Sequence, residues 1–130
     1  TKEPCGFIIY HPDMGDMLFL TDSHHIKYKL SFSLDYILIE CNHMDSLVDK
    51  SVKEGIIPRK IGIRAKATHM SLNRCLELLK TSNLQETKAI VLIHMSATNA
   101  DSKLFTSAVA MCTGKAVFVA KKGLIVELLK

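Results

Sequence analysis

A chain of 130 residues has room for one domain and a real core, because a chain of this length buries roughly two thirds of its unfolded surface. With 48% apolar and 23% charged residues it is too apolar to be disordered, and six Gly and three Pro exclude a collagen-like or low-complexity chain. The net charge of +4 comes from 17 basic and 13 acidic residues, and the only adjacent basic pairs, Arg59-Lys60 and Lys121-Lys122, read as ordinary solubility charge rather than as the gathered basic face of a dedicated nucleic-acid binder.

The chain opens Thr1-Lys2-Glu3-Pro4 and enters an apolar run at once, so it reads as a segment of something longer. The run from Cys5 to Tyr10 predicts a strand, His11 to Asp16 a turn built on Pro12 and Gly15, and Met17 to Thr21 the second arm of a hairpin. Tyr36 to Glu40 is almost purely apolar and β-favouring, as in a strand covered on both faces. Met44, Leu47, Val48, Ser51 and Val52 then fall at helical spacing, and Gly55 and Pro58 stop that helix. A second helix is predicted from about Ser71 to Ser82, with Leu72, Cys75, Leu76 and Leu79 as its apolar stripe and Ser71 or Thr68 as its cap. Ala89 to Ile93 is a further strand. A third helix starts at the Asp101 cap, runs to Cys112 and ends at Gly114. The chain closes as a hairpin, Ala116 to Ala120 and Leu124 to Leu129, turned at Lys121 to Gly123. The predicted order is β-β-β-α-α-β-α-β-β, a layered α/β domain.

Cys5, Cys41, Cys75 and Cys112 form no C-x-x-C pair, which excludes a compact thiolate zinc site and reads as buried, reduced thiols. There is no signal peptide and no apolar run of membrane-spanning length, so the expected compartment is the cytoplasm and no membrane partner is expected. Glycine-rich phosphate loops and the G-x-S-x-G elbow are also absent. Cys41, close to His43, is a poor candidate nucleophile because it lies in an apolar stretch.

Three phrases echo one another: Asn42-His43-Met44-Asp45, Thr68-His69-Met70-Ser71 and Ile93-His94-Met95-Ser96. Their histidines are spaced by 26 and 25 residues, and His43 and His94 follow apolar strands closely. Asp22 stands in an equivalent place after the strand Met17 to Thr21. In layered α/β folds the carboxyl ends of strands share a ligand-binding rim. Asp22, His43 and His94 are therefore expected on one rim, with His69 beside them at a helix start. One Asp with several His suits zinc, manganese or iron.

Together with Phe19-Leu20-Thr21-Asp22-Ser23 and Leu92-Ile93-His94-Met95-Ser96, these phrases resemble the metallo-β-lactamase-fold hydrolases, closest to the small bacterial and phage members related to exonucleases and phosphodiesterases. The resemblance spans about Gly6 to Leu128. It implies the C-terminal half of an αββα sandwich, two β-sheets between helices, with a dinuclear metal site on one edge. It implies Asp22 and His94 as metal ligands. His69 is implied as the catalytic residue that contacts the scissile phosphate or assists proton transfer. His43, matching an Asn-His-Asp phrase near the site, stands with it as a second catalytic candidate. The cofactor implied is zinc, two ions in the complete domain, with manganese as the other metal considered.

The family's H-x-H-x-D-H motif and a further ligand His are absent, so the N-terminal half must come from a missing segment or a partner chain. In the complete domain two metals about 3.5–4 Å apart activate a water whose hydroxide attacks phosphorus in line. The expectation is a phosphodiester hydrolase, nuclease-like in substrate, that is active only when completed. Residues 1–130 alone are expected to bind zinc weakly and to turn nothing over. The alternatives are a non-catalytic module, kept for nucleic-acid binding or assembly with a degenerate metal site, and an unrelated α/β domain with unconnected histidines. A fragment of this kind is also expected to associate, as a homo-oligomer or with a partner, through the strands Cys5–Tyr10 and Tyr36–Glu40.

Overall fold

The apolar runs become five strands of one mixed sheet in a computed structural model that describes residues 6–21 and 33–129. The strands are β1 (Gly6–His11), β2 (Gly15–Leu20), β3 (Tyr36–Glu40), β4 (Ala89–Ile93) and β5 (Ala116–Val119), and they lie side by side in chain order. β1 and β2 form an antiparallel hairpin with Phe7 opposite Phe19 and Ile9 opposite Met17. Gly15 closes the turn at φ 95°, and a Cβ there would stand 2.1 Å from the Asp35 carboxylate, so only glycine fits. From β2 onward the strands are parallel.

Four helices stand among the described residues: α1 (Asp45–Lys53), α2 (Arg59–Thr68), α3 (Leu72–Lys80) and α4 (Ser102–Thr113). The caps follow the sequence. Ser71 accepts the Arg74 N–H, Asp101 accepts the Leu104 N–H, and Gly114 ends α4 in the left-handed region at φ 69°.

Strand alternation divides the side chains between two faces. Leu18, Leu20, Ile37, Ile39, Ile90 and Leu92 face the helix layer and meet Leu72, Cys75, Leu79, Phe105 and Val109 in one core. Each large side chain buried there contributes about 1.5–3 kcal/mol. On the opposite face Met14, Tyr36 and Ala89 pack with Met17 and Leu128, but Phe7 and Ile9 are 59% and 45% exposed.

The observed architecture is α/β, and it departs from the expected element order twice. The stretch after Pro58 is a helix, α2, with Pro58 as its N-cap residue, so Pro58 starts a helix as well as following one. Residues 124–129 do not form the second arm of a terminal hairpin. They leave the turn that follows β5 and cross the second face, where the Tyr36 hydroxyl donates to the Leu129 carbonyl. A third correction concerns β3, which was expected to lack a neighbour. It lies mid-sheet, paired on both sides, and among the described strands β1 and β5 are the edges.

Candidate metal centre

The parallel strands β2, β3 and β4 end together: Leu20 pairs with Ile39, and Glu40 with Ile93. Glu40 is the acidic end of an otherwise apolar strand and is fully buried. A buried carboxylate must be paired or strongly hydrogen-bonded. Its Oε2 accepts the Met70 N–H at 2.7 Å and lies 3.1 Å from His69 Nδ1. Its Oε1 lies 3.0 Å from His94 Nδ1 and accepts from Thr21 Oγ1 at 3.4 Å.

Two local features hold the histidines there. His69 is the C-cap of α2, its N–H bonded to Ala65, and Met70 and Ser71 lead straight into α3. His94 follows β4 and has φ 56°, the one positive φ outside glycine among the described residues. That conformation costs an L-residue roughly 1–2 kcal/mol and turns the chain sharply off the strand end. Asn42 secures the turn: its Nδ2 donates to the His94 carbonyl at 2.8 Å, and its own carbonyl accepts the Ser96 N–H at 2.8 Å. The His69 and His94 rings meet edge to face, centroids 4.8 Å apart at 82°.

The chemistry of this group follows from its hydrogen bonds. With a Glu40 oxygen facing Nδ1 of each ring, each neutral imidazole carries its proton on Nδ1. A carboxylate behind a histidine is the arrangement that orients metal-binding imidazoles and raises their basicity. Glu40, His69 and His94 each place a donor atom within 4.8 Å of the others, so the group can hold a metal ion. Its nitrogen and oxygen donors suit a borderline divalent ion and not a thiolate-seeking one.

The expected site residues divide as follows. His69 and His94 come together. His43 is 1% exposed, with Nδ1 3.0 Å from Asn42 Oδ1 and Nε2 3.3 Å from Asp45. Burial lowers the His43 pKa, against the pull of the Asp45 carboxylate, and nearby His69 lowers it further. Asp22 lies outside the described residues. Glu40, the hub, was not singled out from the sequence, and neither was Asn42. The available signal was an acidic residue closing an all-apolar strand, which must be satisfied if buried. Cys41 and Cys75 are buried beside one another, and the Cys41 thiol together with burial pushes Cys75 well above the ordinary thiol range, which suits a packing role. No helix among the described residues is long and apolar enough to cross a membrane.

The chain matches no family model and no curated protein.

Proposed function

We propose that the chain is part of a metal-dependent hydrolase of phosphodiesters, with zinc or manganese as its metal, completed by a further segment or partner. The observation that carries this reading is the single buried carboxylate of Glu40 facing Nδ1 of both His69 and His94. In the proposed centre His94 is a metal ligand through Nε2, and Asp22 is a second one. The metal, when bound, supplies a water of lowered pKa and neutralises charge on the phosphate oxygens.

The chain's own residues do the rest. Glu40 holds both rings in place through their Nδ1 atoms. In its protonated form His69 hydrogen-bonds a phosphate oxygen through Nε2–H or gives that proton to the leaving oxygen, help worth roughly 10²–10⁴-fold. Phe7 and Ile9 remain exposed on the sheet face opposite the helix layer. A partner layer seated on that face reaches the rim of the site and can add the ligands this chain lacks, as the metallo-β-lactamase resemblance implies.

The test is a phosphodiesterase assay on bis(p-nitrophenyl) phosphate, using protein expressed from the natural coding sequence with whatever codons precede Thr1. Hydrolysis that needs zinc or manganese, stops with EDTA and falls at least about 10²-fold in His69→Ala supports the reading. Equal rates in wild type, His69→Ala and His94→Ala contradict it.

A further inference from the structure

Most of the excess positive charge is gathered beside the candidate centre. Between Asp45 and Thr68 there are six basic residues and three acidic ones, a net +3 out of the chain's +4. Asp49 is taken by Lys66. Arg59, Lys60 and Arg64 are exposed on α2 and form no ion pair among the described residues. α2 turns its Gly62 side onto α1, where a Cβ would stand 2.8 Å from Val52, and this packing sends the basic residues outward.

The helix also has a direction, since its C-cap is His69. At 1.5 Å rise per residue, Arg64 and Lys60 precede His69 by about 7.5 and 13.5 Å along the axis. Unpaired cations at those intervals complement a polyanion lying along the helix with one phosphate at His69. A membrane surface fits less well. Ile61 and Ile63 are both exposed but point about 200° apart around the helix, so α2 has no continuous apolar face to insert.

We infer that α2 is a binding surface for the sugar–phosphate backbone of a nucleic-acid strand, with Lys60 and Arg64 as its main phosphate contacts. That the strand is the substrate rests on the hydrolase reading above; that it binds does not.

The experiment is fluorescence anisotropy of labelled oligothymidylate and oligouridylate with the full chain in EDTA, from about 50 to 200 mM salt. Wild type is expected to bind. Lys60→Gln with Arg64→Gln is expected to weaken binding about tenfold and to reduce the slope of log K against log salt by about 1.4, or 0.7 per lost phosphate contact. Lys60→Arg with Arg64→Lys restores binding, and Lys80→Gln with Lys103→Gln leaves it unchanged. Because binding is measured in EDTA, failure of the metal centre and failure of this surface are separable. The inference is overturned if wild type does not bind, or if the double Gln variant keeps wild-type affinity and slope. Binding to phosphatidylserine vesicles with none to oligonucleotides overturns it in favour of a membrane surface.

Discussion

Glu40 Oε1 stands 3.0 Å from Nδ1 of His94, a residue held at φ 56°, so a buried carboxyl group and a strained backbone meet at one strand end. Strain persists only where the surroundings over-determine it, and here Asn42 and Glu40 grip the carbonyl and the ring of the same residue.

Glu40→Gln is therefore expected to act on tautomers more than on packing. The amide oxygen can still accept the Met70 N–H, but the amide N–H₂ faces Nδ1 and favours the proton on Nε2, blocking the lone pair. Calorimetric titration with zinc is expected to show affinity 10- to 100-fold lower, roughly, with the fold retained. Glu40→Ala leaves the Met70 N–H unpaired as well and is expected to cost about 1–3 kcal/mol in denaturant unfolding.

Backbone strain at His94 separates two substitutions. His94→Gly and His94→Ala both remove the imidazole, but only Gly adopts φ 56° freely. The Gly variant is expected to be more stable than the Ala variant by about 1 kcal/mol, read from urea midpoints.

Acid should weaken the fold through His43. Burial holds its folded pKa below the ordinary 6.5, so the unfolded chain takes up the proton first. Its contribution is complete above pH 6.5 and is lost as pH falls from there through the lowered folded value. Urea midpoints between about pH 7.5 and 5.5 should fall in wild type and fall less in His43→Asn.

Helix α2 depends on a close approach to α1. A Cβ at Gly62 meets Val52 Cγ2 at 2.8 Å and Val48 Cγ1 at 3.2 Å, and both valines are stiff. Gly62→Val is expected to cost about 1–3 kcal/mol by thermal unfolding.

The edge strand β1 exposes Phe7, Ile8, Ile9 and Tyr10 in a row with no charge among them. Such an edge pairs with other strands. Sedimentation velocity is expected to show concentration-dependent association that Ile8→Lys suppresses; a monodisperse monomer across the concentration range would count against it.

What the sequence made legible was mostly what repeats. The runs of β1 to β4 and the stripes of α1 and α3 announce themselves through period, and the Asp101 and Gly114 caps bound α4. α2 was missed because it turns a glycine to its neighbour: Gly62 is its one buried residue, so no apolar stripe exists. Residues 124–129 alternate like a strand, yet their partner is the far face of the sheet and not β5. At the site, His69 and His94 stood out by their shared phrases. Glu40 hid as the last letter of an apolar strand, since its role depends on two side chains 29 and 54 positions away.

The central claim is a division of roles in the proposed centre: His94 holds the metal, Glu40 orients its ring, and His69 faces the phosphate. Equilibrium dialysis of zinc against residues 1–130 and the variants Glu40→Gln, His69→Ala and His94→Ala tests it most directly. The expected result is wild-type uptake weaker than about 1 μM, further reduced about tenfold or more in Glu40→Gln and His94→Ala and retained in His69→Ala. Uptake that is the same in all four proteins, or tight binding of two zinc ions by the chain alone, would contradict it.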